Sequence, residues 1–479
     1  MDAEWKQCHK EHTVADWTAE SAARNRKGKQ HATGNRTDDH VSGNETGRSP
    51  RVNMKGARVF AWTAFLLLDS IYLIDCIQRT AIPGAIFNNL QGDFLMTASQ
   101  ITRTSSIYTF LYGTGQILTG CAVDRFGGKK MGILGGFLVS CGLLLLCFSR
   151  DPGQLYLSRV LAAFGSCFMY VSVIKIAHIL FPPKHFGVLV GLSSAVGFLG
   201  GVLGTMPIRL CISRTTGMTW FGWRFSFFIL GSLTLLISVG SIYLLRILKE
   251  RPKRATLITW RTVRALFNRK SRFCFITCNF WGYPVFFMMQ AVIGQKFMQD
   301  HFNLTPDHAA FFTLTLSIGS IVFSLLGVPL VRLFHGQRRK VLLFCASSQI
   351  FTVLLMFAAV RYNLPIAFFY FAFFLLAISQ ADTSAKGYLT LELLDTRTIA
   401  FNEAIRNCFP FLGATFASYV CGRILDHFVA DTGSSVTAFL SQGYLWILVF
   451  ALVLSILHVI VLLGIPETNG KRYFPKKAN

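Results

Sequence analysis

Acidic side chains are scarce in this chain: 23 Asp and Glu stand against 47 Lys and Arg over 479 residues, and charged residues of both signs make up only 15%. A soluble domain carries about 25% charged residues, so an ordinary soluble enzyme is excluded. With 52% hydrophobic residues, so is a chain that stays disordered throughout. A nucleic-acid binder would gather its positive charge on one exposed face. Here short basic clusters alternate with long apolar runs, and nucleic acid is not an expected partner. Ordered cysteine spacing is missing too. The 12 Cys fit neither a disulfide framework nor a zinc site. Most sit inside apolar runs (Cys76, Cys121, Cys141, Cys147, Cys167, Cys345, Cys421), and Cys274 with Cys278 reads as a pair of small buried residues. There is no Gly-x4-Gly-Lys-Ser/Thr nucleotide loop, so ATP-driven pumping is not expected. No Ser/His/Asp or metal-ligating constellation suggests an enzyme, a cofactor or a metal.

What is present is a series of apolar segments, each about 20 residues long or more, enough for one crossing of a bilayer. They fall at 59–82, 103–123, 131–149, 155–180, 186–210, 223–246, 273–297, 309–333, 341–360, 364–389, 399–425 and 441–464. The spacing predicts an all-α polytopic membrane protein with twelve transmembrane helices and the bilayer as its solvent. Residues 1–56 read as a polar, disordered tail without the apolar core of a secretory signal. Its His9, His12, His31 and His40 read as solvated.

Lys and Arg collect on one side of this arrangement. They crowd the link at 248–272, follow the second and eighth segments (Arg125, Lys129, Lys130; Arg338, Arg339, Lys340), and recur at the end (Lys471, Arg472, Lys476, Lys477). The positive-inside rule makes that side cytoplasmic, with both termini on it. The basic link divides six helices (57–247) from six (273–465), with a second short tail at 466–479. The basic turns after the second and eighth segments lie a little over 200 residues apart, a weak internal echo.

The turn after the second segment reads Gly120, Cys, Ala, Val, Asp124, Arg125, Phe, Gly127, Gly, Lys129, Lys130. Glycine supplies the backbone of a tight turn, and a carboxylate there can pair with basic groups and a facing helix end. Every position matches a signature of the major facilitator superfamily, and the chain resembles that family over about residues 57–470. The resemblance implies two pseudo-symmetric six-helix bundles that alternate access to a central site. It implies that Gly120, Asp124, Arg125, Gly127, Lys129 and Lys130 latch one conformation. The fourth segment resembles a second family motif through Arg159 and Gly165, with Ala163 in place of a first glycine. There the resemblance implies proton coupling or substrate contact, and snorkelling of Arg159 to the outer surface is the alternative. Gly191, Gly197, Gly200, Gly201 and Gly204 resemble the antiporter motif, but Thr205 replaces its proline, which leaves close helix packing as their meaning. Gly222, Trp223 and Arg224, and Pro466, Glu467 and Thr468, also resemble family features. The signature that sugar porters carry after the sixth helix is absent from Leu248–Pro252.

Ionisable residues at membrane depth are site candidates. Asp75 and Arg79 are four apart in the first segment and can pair. Asp69 lies on another face, as a proton carrier or a structural carboxylate. Asp382 and Lys386 are four apart in the tenth segment; Lys175 lies in the fourth, 211 positions before Lys386. Either the two lysines share a cavity and hold an anion, or Asp382 neutralises Lys386 while Lys175 reaches the cytoplasmic surface. Glu403 and Arg406 gate against the Asp124 turn or cap their helix. Tyr112, Gln116, Asn279 and Gln290 are uncharged cavity candidates, and the 45 Phe are expected mostly to face lipid. The expected function is secondary active transport of a small polar, anionic metabolite, with proton symport favoured, by a monomer in a plasma membrane. A non-transporting receptor on the same fold is the alternative, and it would not need the intact turn at Gly120–Lys130.

Overall fold

The computed structural model describes residues 54–181, 183–216, 222–248, 264, 267–394, 399–430 and 438–471. Most of the polar first tail and of the basic link lies outside the described residues. Twelve spans follow in order. The first six are α1 (Met54–Ala81), α2 (Ala98–Phe126), α3 (Gly128–Phe148), α4 (Pro152–Leu180), α5 (Pro183–Leu203, then Met206–Thr216) and α6 (Arg224–Leu244). The second six are α7 (Lys270–Thr277 to Gly294–Phe302), α8 (Pro306–Leu333), α9 (Arg338–Arg361), α10 (Ile366–Leu376 to Thr383–Leu393), α11 (Ile399–His427) and α12 (Ser441–Leu463). The end that carries Met54 and Lys471 is called the tail end below, and the other the loop end.

Nine of these helices are each long and apolar enough to cross a membrane, and α5 and α7 pass as bent pairs. The remaining span, α2, is 29 residues long. It is too polar to pass because Thr102, Thr104, Ser105, Ser106 and Thr109 are buried against other helices rather than facing lipid. Several boundaries differ from the hydropathy reading. α2 begins at Ala98, before position 103, because Thr97 and Gln100 form a reciprocal capping box. α4 begins at Pro152, where Asp151 accepts from the Gln154 N–H at 3.0 Å. α5 is not continuous over 186–210 but bends by 44° beyond Leu203. α7 bends by 62° after a π-helical turn at Met288–Val292. α10 is interrupted by a 3-10 stretch at Ala377–Asp382. A short helix at Phe87–Phe94, between α1 and α2, is absent from the hydropathy reading because only 8 residues form it.

Gly197, Gly200 and Gly204 of α5 face α1. A Cβ on Gly200 would lie 2.4 Å from the Cys76 Cβ, and one on Gly204 2.6 Å from the Ile77 carbonyl oxygen. The close-packing reading of that stretch is the one the geometry carries. Phenylalanine does not mostly face lipid. Phe65, Phe227, Phe275, Phe297, Phe312, Phe369 and Phe373 are fully buried, whereas Phe110, Phe148, Phe351 and Phe371 are exposed. Helix interiors in a membrane protein need large side chains as much as its rim does, since packing rather than hydrophobicity holds the helices together.

The six-helix halves meet along α2 and α11. At mid-depth Thr109 and Thr415 share a hydrogen bond of 2.9 Å. Toward the loop end Ser99 N–H donates to Asp426 at 3.1 Å, Asn88 donates to Gln299 at 2.6 Å, and Arg209 pairs with Asp307 at 3.0 Å. Phe87 meets Phe439 edge-on at 6.3 Å. The state seen is therefore closed at the loop end.

Candidate functional site

A connected polar cluster lies at mid-depth on the inner face of the first half. Asp75, on α1, is fully buried. Its Oδ1 accepts from Gln78 at 3.0 Å, from Tyr108 of α2 at 3.2 Å, and from Ser166 of α4. Arg159 of α4 is 2% exposed; its Nη1 donates to Gln78 Oε1 at 2.5 Å, and its guanidinium lies 4.4 Å from the Tyr108 ring centre. Arg159 therefore points inward, and the snorkelling alternative does not describe it. Asp75 Oδ2 and Arg159 Nε are buried without partners. A buried charge is costly unless paired, and here the cost is offset through Gln78, which bonds both charged groups.

The expected ion pair between Asp75 and Arg79 is not formed. Asp75 faces α2 and α4, and three donors already reach it: Tyr108 and Ser166 from those helices and Gln78 from its own. Arg79 turns to the seam between the halves. It is half-buried, donates to Cys76 Sγ at 3.2 Å, and lies 5.4 Å from the ring centre of Tyr112 and 6.0 Å from that of Phe411. Phe411 belongs to α11, and Tyr283 of α7 packs on it at 5.6 Å. No carboxylate pairs with Arg79 among the described residues. This guanidinium stands between aromatic rings of both halves. Gln116, one turn beyond Tyr112 on α2, is also buried. Gln290 donates to Ser317 at 3.0 Å, and its Nε2 lies 3.6 Å from where a Cβ on Gly201 would be, across the seam. Asn279 is half-buried near Cys278. Asp69 is 2% exposed on α1; neither of its oxygens has a hydrogen-bond partner, and Ser193 of α5 faces it.

Of the two readings of the lysine pair, the shared cavity is not the one the contacts resemble. Lys175 Nζ donates to the Val123 carbonyl at 3.0 Å, at the tail-end terminus of α2, and its side chain packs on Gly128. A cation is favourable at that helix end. Lys386 pairs with Asp382 at 2.5 Å inside the second half. Offset in sequence placed them on related helices, but side-chain reach along α4 carries Lys175 to the turn instead.

The backbone of that turn is one that glycine favours. Gly127 has φ +93°, a region that disfavours side chains, and its N–H caps Val123 at 2.9 Å. Lys129 ties it to the end of α6 through the carbonyls of Leu245 (2.9 Å) and Leu248 (2.8 Å). Arg125 is exposed against Phe126, Lys130 is exposed, and Gly120 faces open space. The side chains of Asp124 and Glu403 lie outside the described residues, and with them the expected gate; Arg406 is half-buried on α11. In the second half, Glu467 accepts from the N–H groups of Arg338 (2.9 Å) and Arg339 (3.0 Å), capping α9, while Arg338 pairs with Glu392 at 3.1 Å. Sequence reasoning missed Gln78, Tyr108, Ser166, Tyr283 and Phe411, all uncharged. Tyr108 and Gln78 each sit one turn from a named candidate, which was the available signal.

Residues 68–295 match the family model described as Major Facilitator Superfamily. An uncharacterized transporter, YybO of Bacillus subtilis (strain 168), is 28% identical over 178 residues, 37% of this chain and 39% of that protein. Human monocarboxylate transporter 1 is 30% identical over 183 residues, 36% of this chain and 34% of its own length. Those matches thus span well under half of each relative. Among solved structures, the D-xylose-proton symporter superimposes with a TM-score of 0.65 at 15% identity, over 86% of this chain and 99% of that one. Nucleoside transporter NupG gives 0.63 at 12%, over 83% and 98%. At such identities the likeness is one of fold. This multi-pass membrane protein thus matches the major facilitator superfamily in sequence over residues 68–295 and shares the fold of solved transporters over most of its length.

Proposed function

We propose that the chain is a secondary transporter that moves a small anionic metabolite across a membrane by alternating access, with a proton as the coupling ion. The observation that carries this reading is Arg79. It is a half-buried guanidinium at the seam of the two halves, without a carboxylate partner among the described residues and flanked by Tyr112 and Phe411. A substrate carboxylate held there would supply the missing counter-charge and touch both halves at once. A substrate that bridges the halves biases their relative position, which is what alternating access requires. The partial matches to monocarboxylate transporters support the anionic class, and the fold shared with a proton symporter supports the coupling ion. The loop-end closure supports one of the two end states. The turn at Gly120–Lys130 and the termini are read as cytoplasmic, in a plasma membrane.

The test is substrate binding in proteoliposomes, screened with labelled monocarboxylates. Arg79→Gln should weaken binding by roughly 10- to 100-fold, the worth of hydrogen bonds to a charged group. Arg79→Lys should retain part of it. Unchanged affinity in Arg79→Gln would sink the anionic reading.

A further inference from the structure

Helices α3 and α6 touch at mid-depth and part toward the tail end. Ser140 Oγ donates to the Gly231 carbonyl at 2.9 Å, and Ser238 lies against Gly136. Below that contact the helices enclose a groove of about 390 Å³. Its walls are apolar: Ile133, Leu134, Phe137 and Ile242. Leu134 is 44% and Ile242 40% exposed, so the groove opens sideways, onto the surface that lipid covers. Its rim is basic: Lys129, Lys130 and Arg246. Lys129 is engaged with the end of α6 and adds only its charge. Lys130 and Arg246 are exposed and have no acidic partner among the described residues.

We propose that this groove binds one acidic diacyl phospholipid, its phosphate between Lys130 and Arg246 and an acyl chain along Phe137 and Ile242. A free anion in water would gain nothing from four apolar walls. An uncharged apolar ligand would gain nothing from a three-cation rim. A phospholipid uses both, and in that order along the membrane normal. The cations sit at the ends of their helices, where headgroups lie, and Phe137 is seven residues deeper, about 10 Å at a rise of 1.5 Å per residue. The rim also lies at the end where the whole chain concentrates Lys and Arg, the side on which acidic lipids are common. This site is on the outer surface of the first half and does not depend on what the central cluster binds.

Native mass spectrometry of the full-length protein, delipidated in detergent and titrated with palmitoyl-oleoyl phosphatidylglycerol or phosphatidylcholine, tests it. The first phosphatidylglycerol should bind more tightly than phosphatidylcholine. Lys130→Gln combined with Arg246→Gln should weaken that first binding by roughly 30-fold, from about one unit of surface attraction per basic residue, and leave phosphatidylcholine binding as it was. The charge-keeping pair Lys130→Arg with Arg246→Lys should restore it. Ile242→Trp, which fills the groove, should remove the first phosphatidylglycerol although every cation remains. Equal phosphatidylglycerol affinity in the Gln pair would overturn the proposal. So would displacement of the lipid by glycerol 3-phosphate, which would make the rim a site for a free anion.

Discussion

Asp69 is the residue whose surroundings leave most to function. Its carboxyl is 2% exposed, and neither oxygen accepts a hydrogen bond. A carboxyl without partners takes up and releases a proton without breaking any bond, which suits a coupling group. Asp75, by contrast, is held by Gln78, Tyr108 and Ser166, and changing its protonation would disturb three side chains. Asp69→Asn should therefore abolish accumulation driven by a pH gradient while sparing substrate exchange, which moves no net proton. Uptake and counterflow in the same proteoliposomes separate the two. Loss of both, or retention of pH-driven accumulation, would remove the role given to Asp69. Both carboxylates were legible as intramembrane charges. Which of them is bonded and which is bare was not, because that depends on Ser166 and Tyr108, which reach Asp75 from other helices.

Within and between elements, small residues decide what can approach what. Gly165 of α4 lies against α3 so closely that a Cβ there would be 2.5 Å from the Gly135 carbonyl oxygen and 2.7 Å from the Val139 nitrogen. Both are backbone atoms and cannot swing aside. Gly165→Val should cost roughly 1–3 kcal/mol, the range for overpacking, and appear as a lower melting temperature of the protein in detergent. Melting at the parent temperature would show that α3 and α4 can shift apart freely. The interval between Arg159 and Gly165 was readable as a motif, and six residues place the two on different faces of α4. The outcome agrees: the arginine reaches Gln78 in the central cluster, and the glycine admits α3. The bends in α5 and α7 and the 3-10 stretch in α10 were not readable, since a hydropathy average over a whole span passes across a break of a few residues.

For the whole molecule, the arrangement predicts a sidedness. The turn after α2, the start of α9 and both ends of the described chain lie at one end, and the basic link at 248–272 must join α6 to α7 there. In intact cells, a single Cys introduced in that link of a Cys-free background should resist an impermeant thiol reagent, while one near Asn303 should react. The reverse labelling would overturn the orientation. The closed loop end adds a second expectation of scale. Contacts such as Arg209 with Asp307 and Asn88 with Gln299 join the halves there and must part when that end opens.

Composition and apolar run length were enough to determine that this chain crosses a membrane many times, because burying backbone in lipid leaves helices of about 20 residues as the solution. The glycine and charge pattern of one turn carried the resemblance to the superfamily, and the backbone there holds Gly127 in a conformation few residues adopt. Even α2, whose hydropathy is weak, was legible as a span between two clear ones. Tertiary structure alone decided the pairings. Spacing left two readings of Lys175 and Lys386 open, a shared cavity or separate neutralisation; in the fold Lys175 meets the end of α2 and Lys386 pairs with Asp382. Arg79 could have paired with Asp75, yet it stands at the seam without a carboxylate partner among the described residues. A side chain's partner is set by which atoms from distant helices reach it, and neither spacing nor offset along the chain carries that information.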